Sequence, residues 1–372
     1  MTIATAFLAG AVWADCPDGD LNRDCRVDLH DLGLLAGSWL EVEPNLPVGS
    51  VVINELLSHA HDTASDWIEL YNTTGSAVNI SGWYLSDRDS PLTKYPIPNG
   101  TIIPAYGYVV FYENVHFGVN HGNNVPFGFS ENGESVYLSL LRGGKYIAMD
   151  DRKFDASERN VSFGRYTTST DEVKFVAMSS NTPGAPNAYP KVGPIVISEI
   201  MYNYGLDDPN TEYVELYNDG SVPVALQEYD PCISSYVPWK FTQGIDLTFP
   251  LGTTIPAHGY IVVVKNRTAF ASQYPGVPPG IVFGPYGGQL NNDGEKVEVS
   301  KPGDLDVGSG IRYYIRVDMV DYSNGGHHEN FTGLDPWPSG PSGEGESLNR
   351  IVPNLYGNDV NNWMSDSATP GY

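Results

Sequence analysis

The chain contains one pentad twice, Ile68-Glu69-Leu70-Tyr71-Asn72 and Val214-Glu215-Leu216-Tyr217-Asn218. Each copy follows a β-branched run, Val51 to Leu57 in one case and Ile195 to Met201 in the other. Further phrases recur in the same order. Gly100-Thr101-Ile102-Ile103-Pro104 answers Gly252-Thr253-Thr254-Ile255-Pro256, and Asn132-Gly133-Glu134 answers Asp293-Gly294-Glu295. Ser162-Phe163-Gly164-Arg165 answers Ser347-Leu348-Asn349-Arg350, and both units close on Thr-Pro-Gly, at Thr182 to Gly184 and Thr369 to Gly371. The offset between copies grows from 144 at the opening run to 146 at the pentad, 152 at the Gly-Thr phrase and 187 at the final Gly. Order is kept while loops lengthen, because surface loops absorb insertions and paired strands do not. Two homologous domains in tandem are expected.

Period-two alternation in the pentad sets Trp67, Glu69 and Tyr71 on one face and Ile68, Leu70 and Asn72 on the other. Short strands are predicted over residues 82–85, 108–112 and 135–140, then 260–264, 295–299 and 311–317. The 40 Gly, 28 Pro and 24 Tyr suit strands joined by turns better than helices. The fold class expected is all-β: two antiparallel β-sandwiches in tandem, with a small EF-hand-like loop-helix module ahead of them. The four prolines of residues 183–194 read as a stiff spacer that sets the sandwiches end to end.

Residues 51–187 and 195–372 resemble lamin-tail domains, on Ile53-Asn54-Glu55, Trp67 to Asn72, Gly82-Trp83-Tyr84-Leu85-Ser86-Asp87 and the Gly-Thr and Gly-Tyr phrases. The resemblance implies an immunoglobulin-like sandwich of the kind found in nuclear lamins and in secreted bacterial proteins. In the second unit the Gly-Trp-Tyr-Leu phrase reads as lost, replaced between Leu226 and Trp239 by an insertion carrying Cys232.

Ahead of the repeats, residues 1–14 read as a signal-peptide remnant, residues 15–40 as a separate module and residues 41–50 as a linker; residues 188–194 form the second linker. Asp20, Asn22, Asp24, Asp28 and Asp31 stand at positions 1, 3, 5, 9 and 12 of a loop, with the Arg26 carbonyl at position 7. That spacing wraps calcium in oxygen ligands. Val27 at position 8 is apolar, as expected of a residue that holds such a loop to its scaffold, and Leu32, Leu35, Ala36, Trp39 and Leu40 follow at helical spacing. This stretch resembles one repeat of a type I dockerin, which implies calcium-dependent attachment to a protein partner. It departs from that family in having a single loop, and in Cys25 where Gly is usual. A Cys16–Cys25 disulfide would pin the loop and offset the strain, leaving Cys232 single.

The formal net charge of −25 disfavours nucleic acid as a partner, and no apolar run is long enough to span a bilayer. Glu55 with Glu69, and Glu199 with Glu215, form the one duplicated carboxylate pair that could do acid–base work. One chain rarely needs one active site twice, so a structural role in strand pairing is the expectation. His59-Ala60-His61-Asp62 has spacing that suits a transition metal, yet the corresponding loop 202–208 has no histidine, which favours a plain surface loop. His327-His328 and the acidic loop Asp207-Asp208 read the same way, and Gly143-Gly144 and Gly287-Gly288 read as hairpin turns. Trp239, Trp337 and Trp363 could stack on sugar rings if exposed, although single aromatics more often serve core or edge packing.

The function expected is that of a non-enzymatic protein, secreted or at the cell surface, whose sandwiches are spacers or binding modules and whose dockerin-like segment attaches through calcium. The partner would be a protein, or a carbohydrate held by one sandwich. The alternative is a non-catalytic accessory part of a secreted polysaccharide-degrading enzyme, nuclease or spore-coat-type kinase.

Overall fold

The computed structural model describes residue 27 and residues 46–205, 208–327 and 333–372. The expected signal segment, the expected calcium ligands Asp20, Asn22, Asp24, Arg26, Asp28 and Asp31, the expected Cys16–Cys25 pair, the helical spacing of residues 32–40, and also Asp207 and His328, lie outside the described residues. Val27, which does not, is 57% exposed rather than packed. The chain divides into two compact units, Met1–Pro47 and Val48–Tyr372.

In the first lobe of the larger unit the strands are β1 (Val51–Leu57), β2 (Trp67–Asn72), β3 (Val78–Asn79), β4 (Tyr84–Ser86), β5 (Tyr95–Pro96) and β6 (Ile102–Ile103). They are followed by β7 (Tyr108–Tyr112), β8 (Glu134–Arg142), β9 (Lys145–Phe154), β10 (Phe163–Thr167) and β11 (Val173–Ala177). One sheet runs β11-β10-β1-β2-β7, the other β5-β4-β8-β9, and β3 pairs with β6. The second lobe carries β12 (Ile195–Met201), β13 (Tyr213–Asn218), β14 (Val224–Ala225), β15 (Gln227–Asp230), β16 (Ser235–Pro238) and β17 (Lys240–Gln243). Then come β18 (Thr254–Ile255), β19 (Tyr260–Val264), helix α1 (Arg267–Gln273) and β20 (Val282–Phe283). The chain closes with β21 (Gly294–Asp306), β22 (Ile311–Ser323), β23 (Glu346–Arg350) and β24 (Trp363–Ser367). Its sheets run β20-β19-β13-β12-β23-β24 and β17-β21-β22. The fold is thus all-β in antiparallel sheets, and among the described residues β20 adds the one parallel pairing, to β19.

Side chains from the two sheets of the second lobe share one core. Ile197 and Leu216 come from the first sheet, Phe241, Val297 and Val299 from the other. Burying such side chains contributes about 1.5–3 kcal/mol each, which fixes the register of strands whose period is two. The pentad strands are buried on both faces, since Ile68, Glu69, Leu70 and Asn72 are all 0% exposed. In each pentad the final Asn explains a second duplicated phrase. Asn72 Nδ2 donates to the Ser76, Ile103 and Pro104 carbonyls, and Asn218 Nδ2 to those of Val222, Ile255 and Pro256. The Gly-Glu phrase is a turn cap: Glu134 accepts from Ser130 N at 2.6 Å and Glu295 from Asn291 N at 2.7 Å.

Three expectations need correction. The Gly-Trp-Tyr-Leu phrase is displaced in the second lobe, not lost. Trp83 N donates to the Ile80 carbonyl and Trp239 N to that of Leu226, while the Trp83 and Trp239 carbonyls accept from Ile97 and Phe249. Trp239 therefore occupies the place of Trp83, and the inserted hairpin β15–β16 separates it from Leu226. Gly143-Gly144 does turn the β8–β9 hairpin, but Gly287 bridges Asp246 outside any named strand, so Gly287-Gly288 is not a hairpin turn. Most substantially, the lobes are not strung end to end. Tyr166 packs edge to face against Tyr189 and against Tyr356, each at 5.4 Å, and the Tyr356 backbone N–H donates to the Tyr189 hydroxyl at 2.9 Å. Arg316 pairs with Asp155 at 2.6 Å, and Lys301 with Glu158 at 3.0 Å. Proline content sets the stiffness of a segment, whereas contact between lobes depends on complementary surfaces that composition does not encode.

Candidate functional site

The duplicated carboxylates meet on adjacent strands. Glu55 of β1 stands opposite Glu69 of β2, and Glu199 of β12 opposite Glu215 of β13. Both opening strands carry a β-bulge just there, between Ile53 and Glu55 and between Ile197 and Glu199. A bulge leaves backbone groups without ladder partners. In the first lobe Asp150 accepts from Ile53 N at 2.8 Å, and Arg165 Nε donates to the Ile53 carbonyl at 2.6 Å while its Nη2 pairs with Asp150. The second lobe repeats this with Asp318 on Ile197 N at 2.8 Å and Arg350 Nη1 on the Ile197 carbonyl at 3.1 Å. Asp150 and Asp318 lie on β9 and β22, so each ion pair also ties one sheet to the other.

Each carboxylate then holds the closing Thr-Pro-Gly. Glu55 accepts from Ser162 Oγ at 2.5 Å, Thr182 N at 3.1 Å and Thr182 Oγ1 at 2.7 Å. Glu69 accepts from Asn54 Nδ2 at 2.8 Å and from Gly184 N. In the second lobe Glu199 Oε1 accepts from Tyr213 OH at 2.5 Å, Thr369 N at 3.0 Å and Ser347 Oγ, and its Oε2 is buried without a partner. Glu215 accepts from Ser198 Oγ at 2.7 Å and Gly371 N at 2.5 Å. The middle proline has no N–H to leave unpaired. The glycine carries φ of +84° at Gly184 and +86° at Gly371, the left-handed region in which a Cβ is strained, and this conformation presents its N–H to the carboxylate. The geometry is a structural latch, in keeping with the role expected of these carboxylates.

Burial pushes the Glu69 carboxyl up to about 7 and the Glu215 carboxyl up to about 8, against an ordinary value of 4.5, even though each accepts two hydrogen bonds. Burial likewise raises Glu199, and raises Asp66 to about 6. A folded-state value above the unfolded one means that the native chain binds more protons in between, so this stability is fully present below the unfolded value and is lost as pH rises through about 7 and 8. The thermal midpoint is therefore expected to fall between about pH 5.5 and about pH 8.5. Glu215→Gln should flatten that slope while folding normally, because its carbonyl can face Gly371 N and its amide can donate to Ser198 Oγ. A midpoint that rises over this range, or a slope unchanged by Glu215→Gln, would contradict the assignment.

Several hollows lie between the lobes, and two of them differ in character. The smaller, 220 Å³, is lined by Phe163 and Val176 from the first lobe and by Trp239, Ile315, Met319 and Tyr356 from the second. The larger, 510 Å³, is polar, with Thr168, Glu172 and Lys174 facing Asp293, Asp321 and Asn358. Its side chains are already bonded to neighbours in their own lobes: Lys174 pairs with Glu172, Asp293 accepts from Asn324 Nδ2, and Asn358 accepts from Asp321 N. On the rim beside Glu158, burial would raise that carboxyl, but Lys191 and Lys301 hold it below the usual range.

The three tryptophans take the core-packing role and not that of sugar platforms. Trp239 and Trp363 are 4% exposed and Trp337 7%, with the Trp363 indole N–H on the Gly357 carbonyl at 2.7 Å. Their large apolar area is spent in the second core, so none of them offers a ring face to a sugar. Cys232 is a free, exposed thiol in the inserted hairpin region. In the His59-Ala60-His61-Asp62 segment, Asp62 pairs with Arg159 and His59 turns toward Glu131 and Asp304, so the three polar residues do not converge on one point. Among the described residues no helix is long and apolar enough to cross a membrane. Asp150 and Asp318 were not singled out from the sequence. Their offset of 168 falls between 161 for the Gly-Glu turn and 185 for the Ser-x-x-Arg phrase, a signal that aligning the two units would have exposed.

A search of the curated proteins returns no match. A family model described as Lamin Tail Domain matches residues 44–152 and again residues 189–304. The matches stop short of β10 and β11 in the first lobe and of β22 to β24 in the second, although these strands pair directly within the lobes and supply Arg165, Asp318, Ser347 and Arg350. The two matches together take in more than half of the chain, and the protein belongs to the lamin tail domain family, with two copies of this immunoglobulin-like domain in one chain.

Proposed function

We propose that this chain is a non-enzymatic extracellular protein whose two lamin tail domains act as one spacer or partner-binding body, attached through a calcium loop at residues 20–31. The observation that carries the non-catalytic reading is the latch. The duplicated carboxylates, the most reactive-looking groups in the sequence, are 2% exposed or less, and each binds its own lobe's closing segment. Groups so engaged hold a fold together and are not free to reach a substrate. The calcium reading rests on the ligand spacing of Asp20, Asn22, Asp24, Asp28 and Asp31 with the Arg26 carbonyl. The attachment partner is then a protein.

Calorimetry of the full chain with calcium chloride should give one binding event, abolished by Asp20→Ala or Asp24→Ala. A protein partner retained from the native secretome should be released by chelation and lost with the same variants. Calcium heats unchanged in both variants would remove the attachment reading. Turnover of a polysaccharide or nucleic acid by the purified chain would remove the non-enzymatic one.

A further inference from the structure

We propose that His59, Glu131 and Asp304 form a site for a divalent transition-metal ion that staples the first lobe to the second. His59 follows β1, Glu131 stands in the turn before β8, and Asp304 comes from β21 of the other lobe. One ligand atom from each lies within 4.8 Å of the others. His59 Nε2 is 3.6 Å from Glu131 Oε2 and 3.8 Å from Asp304 Oδ2. These separations are too long for hydrogen bonds. They are close to the spacing of two ligands on one tetrahedral Zn²⁺, roughly 3.3 Å apart when each bond is about 2.0–2.1 Å.

The surroundings prepare the ligands. His59 Nδ1 lies 3.3 Å from the Ser157 carbonyl, which can only accept, so Nδ1 carries the proton and Nε2 presents its lone pair to the two carboxylates. Ser157 also donates its N–H, at 2.9 Å, and its hydroxyl, at 3.2 Å, to the Glu131 carbonyl, so one residue positions two of the ligands. In the second lobe β21 bulges between Pro302 and Leu305, setting Gly303 and Asp304 against a single residue of β22. A bulge re-aims a side chain out of the ladder, and here the side chain is a ligand. The imidazole selects a transition ion over calcium or magnesium, and three protein ligands leave a position for water.

The test is a zinc chloride titration of the full chain by calorimetry, after chelation and exchange into buffer with saturating calcium that fills any oxygen-ligand loop. One zinc ion per chain is expected, with a rise in thermal midpoint. His59→Ala should abolish the binding, and Asp304→Asn should weaken it by at least about tenfold. His61→Ala, on the same loop, should leave it intact. Asp304 is 64% exposed, so its amide variant should fold even if His59→Ala does not. Zinc heats absent from the wild type, or unchanged by Asp304→Asn, would overturn the site. So would a thermal midpoint that zinc leaves unmoved. Asp20→Ala should leave zinc binding unchanged, which separates this site from the calcium reading.

Discussion

Arg350→Ala is expected to destabilise the second lobe by about 3–5 kcal/mol, the largest effect of any single substitution considered for this chain. The guanidinium is 1% exposed and pairs with Asp318 at 2.5 Å, and it also donates to the Ile197 and Leu355 carbonyls. Removing it strands a buried carboxylate beside a β-bulge, and that charge has no water to fall back on. The corresponding Arg165 is 16% exposed, so Arg165→Ala should cost less. Arg350→Lys should lie in between, since it keeps the charge but not the forked geometry. Urea unfolding, read as the transition of the second lobe, measures all three. An Arg350→Ala loss below about 1 kcal/mol, or one smaller than that of Arg165→Ala, would show that the pair does not secure the bulge.

Glu199→Ala should come next, at about 3 kcal/mol or more. It leaves Tyr213 OH, Ser347 Oγ and Thr369 N without their acceptor, and a buried donor left unpaired costs about 1–3 kcal/mol. Glu199→Gln keeps an acceptor oxygen and should lose much less. Hydrogen exchange provides a readout that a mere packing defect would not move. The amide of Thr369 should lose protection in Glu199→Ala, with that of Gly371 following as the segment frees itself from Glu215. Unchanged protection at Thr369 would sink the latch.

The strands were legible because their signals are local. Alternation around Glu69 and Glu215, and β-branched runs such as Val51 to Leu57, place β1, β2, β12 and β13 without reference to anything distant. Duplication added the bonding pattern, since Ser162, Arg165, Thr182 and Gly184 recur as Ser347, Arg350, Thr369 and Gly371. What escaped depends on packing between elements far apart in the chain. Asp150 and Asp318 sit in strands whose neighbouring residues differ between the two units, and Trp239, Trp337 and Trp363 are buried in a core built from residues far apart in the chain. Contact between the lobes rests on Tyr356 meeting Tyr166 and Tyr189, three scattered tyrosines among the 24 in the chain. The turn toward Asp304 was likewise invisible, because His59 and His61 are neighbours in sequence but only His59 faces the other lobe.

The latch also bears on how such a chain is made. Thr182 reaches back 127 residues to Glu55, and Thr369 reaches back 170 to Glu199. Contacts of that separation give a high contact order, and closing such loops costs entropy before any bond rewards it, which slows folding. During synthesis each sandwich must wait for its own tail before its first strand is sealed, so the nascent domain passes through a long interval with its opening edge incomplete.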